Sequence, residues 1–276
     1  MMRRVLLTVA VFLIMSWPTV AGMELYAQGF EVDRADWYDW GGGSLSRVSS
    51  GGGASNYPSS SGSWHAEVSE GPYTDFGGYR STFPTPGYTA SIDIYLDPFA
   101  ATATENGIVF DYTVASSQQD GSHLRDFVFN MGLYPGTASG EFGFWAATSN
   151  AAGRSNVWQP IWATPGDGVH ITSEAGWFTF THFFRDNGGT LAVDMAIADA
   201  GGNSLADWTI TTSDSMATTV GGNRYGWFAT NEFSDDVLAI DNVELRVVPE
   251  PATMCLLGTG LIGLIGAAYR RKRRQG

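Results

Sequence analysis

One cysteine and one lysine stand in the 276 residues of this chain. The cysteine, Cys255, lies in an apolar stretch close to the C-terminus, so residues 22–247 can form no disulfide and must be held by buried area. The lysine, Lys272, is terminal too, as are six of the arginines. What remains between is eight arginines against twenty-seven Asp and Glu, so the interior segment carries about −19 where the whole chain carries −13. Phosphate backbones are gripped by clustered Lys and Arg, and this balance argues against nucleic acid as a partner. Amphipathic helical runs are also missing. So are a Gly-x-Ser-x-Gly nucleophile elbow, a glycine-rich phosphate loop and any metal-ligand spacing among His65, His123, His170 and His182. His182 sits in a phenylalanine-rich run and reads as a packed core histidine. No catalytic residue is assigned, and a non-enzymatic protein is expected.

The two ends are of a different kind. Arg3 and Arg4 precede an apolar run from Val5 to Met15, which Ser16-Trp17-Pro18 breaks before the small residues Thr19-Val20-Ala21. A charged start, a short apolar core and small residues make a secretory signal over residues 1–21, formed as a helix. The run is short of the roughly 20 residues a membrane span needs. Cleavage is expected after Ala21, with Ala27 as the alternative. At the other end Pro249-Glu250-Pro251 opens a tail covering 248–276. Residues 252–269 are apolar, and at about 1.5 Å per residue they reach roughly 27 Å as a helix, close to the hydrocarbon thickness. Arg270, Arg271, Lys272, Arg273 and Arg274 follow and stay cytoplasmic, so everything before Pro249 faces outward.

That ordered arrangement at residues 248–274 resembles the PEP-CTERM sorting signal of Gram-negative bacteria. The resemblance implies recognition by an exosortase, a membrane-embedded processing enzyme, membrane anchoring through the tail, and association with exopolysaccharide and biofilm at the cell surface or in the matrix.

Residues 22–247 read as one all-β domain. Tyr88–Leu96 alternates apolar and polar side chains, and so do 106–115, 127–133, 177–185 and 191–197. Gly188-Gly189, Gly201-Gly202 and Gly221-Gly222 are expected to supply the positive backbone angles of tight turns. About a dozen short strands without crossover helices predict an antiparallel two-sheet sandwich. The Gly/Ser-rich stretch 41–63 is expected to be a long surface loop or a mobile segment.

Gly29-Phe30-Glu31, Gly62-Ser63-Trp64-His65-Ala66 and Ala239-Ile240-Asp241-Asn242-Val243 resemble the ends of jelly-roll domains of the concanavalin, laminin G and carbohydrate-binding-module kinds. The segment 177–243 adds to the likeness. It implies a jelly-roll sandwich with first and last strands adjacent. It also implies a structural calcium held by Glu31 and Asp241, the alternative being that Asp241 satisfies backbone amides at a strand end. The local cluster Glu31, Asp33, Asp36 and Asp39 lacks the glycine and spacing of an EF-hand and reads as a solvated face.

Sugar binding would use exposed rings that stack on pyranose faces. Trp145, Trp158 and Trp162, in or beside the irregular stretch 148–168, are the first candidates, and Trp37, Tyr38 and Trp40 the second. The expected function is an exported surface or matrix protein, a non-catalytic adhesion or polysaccharide-binding module. A purely structural surface protein is one alternative, and a glycan-active hydrolase or lyase another.

Overall fold

The architecture follows from side chains that alternate between a dry face and a wet one. In the computed structural model, residues 22–69, 71–97, 108–133, 142–150, 170–172, 174–231 and 237–248 are described. They lie in a unit spanning Gly22–Glu250. The signal segment 1–21, Pro249, Glu250, Pro251, the apolar 252–269 with Cys255, and the basic residues 270–274 lie outside the described residues.

Fifteen strands and no helix occur among the described residues: β1 Met23–Gln28, β2 Trp37–Tyr38, β3 Leu45–Ser49, β4 Trp64–Val68, β5 Tyr73–Thr74, β6 Gly87–Leu96, β7 Ile108–Gln118, β8 His123–Leu133, β9 Phe142–Asn150, β10 His170–Thr172, β11 Gly176–Asp186, β12 Thr190–Asp199, β13 Ser204–Ser215, β14 Val220–Asn231 and β15 Leu238–Val247. All pairings are antiparallel. One sheet runs β13-β12-β11-β6-β15-β4-β3, with β1 also on β15, and the other runs β10-β9-β8-β7-β14-β5-β2. This is the two-sheet sandwich the periodicity predicts. The additional strands are short: β2 and β5 have two residues each and β10 three, too few to show a period.

The inner faces meet in an aromatic core. Phe178, Phe180, His182 and Phe184 of β11 face Phe127 and Phe129 of β8, and all are buried. Phe129 meets Phe180 edge-on at 5.2 Å, and Phe127 meets Phe184 edge-on at 5.3 Å. Each fully buried Phe contributes about 1.5–3 kcal/mol, which is how a disulfide-free domain holds together.

Two glycine pairs behave as turns, and one does not. Gly188, Gly189 and Gly202 have positive φ, but Gly221 and Gly222 lie inside β14 with no positive φ. A Cβ on Gly221 would lie 2.2 Å from the Gln118 carbonyl oxygen, and one on Gly222 would lie 2.8 Å from the carbonyl oxygens of Arg80 and Thr82. Here glycine admits a neighbouring backbone and turns nothing.

Strand β15 changes partners halfway along. Leu238–Ile240 pairs with β4, whereas Val243–Val247 pairs with β1, and the register against β6 shifts between Asp241 and Glu244. Asn242 has φ 47° at this irregularity. A bulge of this kind bends the strand and re-aims its side chains. It brings the 60–62 loop within reach of Asp241.

Candidate functional site

Three aromatic residues line up across the outer face of the second sheet because they share one register row. Tyr38 pairs with Tyr73, and Tyr73 pairs with Trp227. Their immediate neighbours Trp37, Thr74 and Gly226 point inward, with Trp37 stacked on Phe228 at 6.4 Å. At about 4.8 Å per strand the row is roughly 10 Å long. Tyr38 and Tyr73 stack at 5.2 Å and 29°.

Loop residues wall this row. A cleft of about 320 Å³ is lined by Trp40, Tyr73, Tyr79, Arg224, Tyr225 and Trp227. Trp40 is 64% exposed and Tyr79 46%, large apolar surfaces left to solvent at one place. The walls are fixed before any ligand arrives. Trp227 Nε1 donates to the Gly71 carbonyl at 3.0 Å. Tyr225 donates its hydroxyl to Asp126 at 3.0 Å and lies flat against His123, whose Nε2 meets the same carboxylate at 2.8 Å. Arg80 Nη1 donates to Asn223 Oδ1 at 3.1 Å and to the Gly78 carbonyl at 3.2 Å, which ties the loop carrying Tyr79 to β14. Burial raises the Tyr79 phenol above its ordinary range, so it stays a neutral hydroxyl. Rigid rings with few rotors lose little entropy on binding.

The sequence candidates fall in different places. Trp145 lies on β9 and not on a loop, half-buried, on the same outer face but three strands from Trp227. Its ring folds over Gly143, where a Cβ would meet Trp145 at 2.3 Å. Trp158 and Trp162 lie outside the described residues. Of the second set, Trp37 is core, Tyr38 belongs to the aromatic row and Trp40 is a cleft wall. Tyr73, Tyr79, Arg224, Tyr225 and Trp227 were not singled out as a site. The alternation Tyr225-Gly226-Trp227-Phe228 was the signal that two of them share a face.

Glu31 and Asp241 are both loop clamps. Glu31 lies in the turn just beyond β1, and its Oε1 accepts Ser63 N at 2.8 Å and Trp64 N at 3.0 Å. Asp241, on β15, accepts Ser61 N on Oδ2 at 3.1 Å and Asn242 N on Oδ1 at 2.8 Å. Burial pushes its pKa up to about 6, and the Asp93 carboxylate across the β6–β15 pair adds to the rise. Asp93 in turn accepts Ser60 Oγ at 2.7 Å and Asn242 Nδ2 at 2.8 Å. Among the described residues no three His, Cys, Asp or Glu converge as a metal cluster. In the acidic segment, Asp39 is paired with Arg34 at 2.9 Å, and Asp33 caps Ala35 N at 3.0 Å.

No curated protein matches the chain. Among solved structures it is similar to the CBM2 module of the evolved Dit of Lactobacillus casei BL23 phage J-1, at 9% identity and TM-score 0.42, covering 83% of this chain and 99% of that one. It is also similar to the T. cruzi calreticulin globular domain, at 10% identity and TM-score 0.43 over 92% and 100% of the two chains. A third is the endo-1,3-beta-glucanase of Streptomyces sioyaensis, at 12% identity and TM-score 0.38 over 83% and 97%. These are loose likenesses, and what those proteins bind or cut is theirs. The C-terminal comparison is specific: residues 247–274 carry the PEP-CTERM protein-sorting motif, which marks the chain for export and sorting to the cell envelope.

Proposed function

We propose that this is an exosortase-processed surface or matrix protein whose β-sandwich binds polysaccharide without cleaving it. The observation that carries the reading is the row Tyr38–Tyr73–Trp227 with Trp40 and Tyr79 beside it. Tyr38, Trp40 and Tyr79 are open to solvent and Tyr73 and Trp227 half-buried, the kind of platform on which pyranose faces stack. Glycosidases hold two carboxyls about 5–9.5 Å apart. Among the described residues on strands β7 and β8 of this face, Asp111 and Asp126 are offset by four residues along adjacent strands, about 14 Å between Cα atoms by strand geometry, Asp126 is already taken by Tyr225 and His123, and Asp75 accepts the Tyr38 hydroxyl. That spacing favours holding over cutting.

Polysaccharide pull-down or calorimetry tests the reading. Trp227→Ala removes the largest ring of the row, at its β14 end, and is expected to cost about 2 kcal/mol, a loss of roughly 30-fold in affinity. Trp145→Ala, three strands away, is expected to bind as the parent does. Equal binding by Trp227→Ala and the parent across glycan classes would remove the platform from the account.

Calcium at Asp241, expected with Glu31 from the sequence, is placed in this reading beside Asp93, which faces Asp241 across the β6–β15 pair. Two facing carboxylates, Asp241 pushed up to about 6 by burial and by Asp93, are a place where a hard cation would relieve repulsion. Bound calcium would supply charge neutralisation there and no chemistry. The expected result is a melting temperature that rises with calcium, falls with chelator and stops responding in Asp241→Asn. A melt indifferent to calcium leaves both carboxylates as loop clamps alone.

A further inference from the structure

Arg224 is the cation of the cleft, in a domain where cations are scarce. Four other described arginines are ion-paired: Arg34 with Asp39, Arg125 with Asp214, Arg185 with Asp194, and Arg246 with Glu244 and Glu24. Arg47 and Arg80 donate to backbone carbonyls away from the cleft lining, at Phe30 and Glu31 and at Phe76 and Gly78. Among the described residues Arg224 has no carboxylate within ion-pair distance. Its guanidinium lies over the Tyr79 ring, 4.7 Å from the centroid, and donates through Nη1 to the Gly121 carbonyl. Its Nε is buried with no hydrogen-bond partner.

The nearby acids among the described residues are committed elsewhere. Asp75 takes the Tyr38 hydroxyl and Gly78 N, and Asp126 takes Tyr225 and His123. The Asp120 carboxyl is held below its ordinary range first by the Ser122 hydroxyl and amide, with Arg224 only its weakest influence. A guanidinium fixed by a ring and a carbonyl, with donors to spare and no counter-ion among the described residues, is half of a bidentate pair. The protein surface around it repels anions at long range, so the positive charge acts locally, on a group delivered by a ligand already seated on the rings.

We propose that the ligand of this cleft is a carboxylate-bearing polysaccharide, built on hexuronate residues, with Arg224 taking the carboxylate while Trp227 and Tyr225 take the sugar face. This rests on the aromatic-platform reading and narrows it to one chemical class. A neutral glucan would leave the guanidinium desolvated and unanswered, at a cost a uronate avoids.

The test compares three polymers against the full chain: polygalacturonate, the same polymer with its carboxyls reduced to alcohols, and a neutral glucan. The parent is expected to bind the native polymer at least ten-fold tighter than the reduced one, with the preference shrinking as salt rises. Arg224→Gln is expected to abolish the preference and keep the weaker binding of the reduced polymer, whereas Trp227→Ala weakens both. Parent binding that is equal for native and reduced polymer overturns the uronate assignment and leaves the platform standing, and so does a preference that survives Arg224→Gln. Binding to none of the three overturns both. Because the parent's own ratio decides the matter, a poorly folded variant does not shield the proposal.

Discussion

Replacing His182 with Phe is expected to make the domain more stable at pH 4 than at pH 7, where the parent changes little. His182 is fully buried, and its Nε2 faces the Phe127 carbonyl at 3.2 Å. A carbonyl only accepts, so Nε2 carries the hydrogen and the ring is neutral. Nδ1 is buried without a partner. Burial holds the imidazole pKa down at about 3, against 6.5 for the free side chain. The unfolded chain therefore takes up a proton near pH 6.5 that the folded chain refuses until about 3. Stability from His182 is complete above 6.5 and drains away as the pH falls. At about 1.4 kcal/mol per unit, roughly 4 kcal/mol is lost by pH 4 or just below.

Asp241 works in the opposite sense. Its folded pKa, about 6, exceeds the ordinary 3.8, so protonation favours the folded state. Its contribution is present below 3.8 and is lost as pH rises toward 6, by roughly 3 kcal/mol. Between pH 6.5 and 4 the two nearly cancel. His182→Phe, similar in volume, leaves the Asp241 slope alone, and Asp241→Asn leaves the histidine slope alone, making that variant acid-labile. Urea unfolding at several pH values measures both. Parallel pH profiles for His182→Phe and the parent would refute the assignment.

How much of this was legible in the sequence depends on whether the residues concerned carry a period. Phe178, Phe180, His182 and Phe184 alternate along β11, and their burial follows from that pattern alone; so does the identity of His182 as a packed residue. The cleft does not repeat. Tyr38 and Tyr73 sit on strands of two residues, and Tyr79 sits on a loop. They meet Trp227 only because β14 pairs with β5 and β5 with β2, partners more than 150 residues apart in sequence for β14 and β5. No local rule supplies that pairing. Choosing tryptophans by their nearness to an irregular stretch selected Trp145, which the sheet places on β9.

The acidic surplus has a structural share that its total does not reveal. Within a charge near −19, Glu31, Glu67, Asp93 and Asp241 turn toward the protein and receive donors from the Gly/Ser-rich stretch. Small residues there leave backbone amides uncovered, and carboxylates are what answers them. The stretch 41–63 is not one loop: β3, Leu45–Ser49, crosses it with Leu45 in the core, and residues 50–63 run as a loop beyond it. Tyr57 stacks on Tyr95 at 3.9 Å, and Trp177 Nε1 donates to the Pro58 carbonyl at 2.9 Å. The segment is thus strapped across the outer face of the first sheet.

Glu67→Ala is accordingly expected to release that strap and to cost about 3 kcal/mol. Glu67 is 5% exposed on β4, with Oε1 accepting Ser55 N at 2.9 Å and Ser55 Oγ at 2.7 Å, and Oε2 accepting Ala54 N at 3.0 Å. Gly53, at φ 79°, lies so close that an added Cβ would be 2.3 Å from Oε1. The loop is moulded on this carboxylate, and nothing else in the described hydrogen-bond pattern satisfies those two amides. Losing the acceptor removes three hydrogen bonds to a carboxylate, each worth about 1 kcal/mol. For a domain of this size that is a fall of roughly 6–12 °C in melting temperature. Glu67→Gln keeps one side-chain oxygen and should fall between. The local signature is proteolytic nicking within residues 50–63 of Glu67→Ala, at conditions where the parent stays whole. Polysaccharide binding by the intact variant should persist, because the cleft belongs to the other sheet. An unchanged melt together with an uncut loop would mean that the strap is held without Glu67, by Asp93, Asp241 and the stacked rings alone.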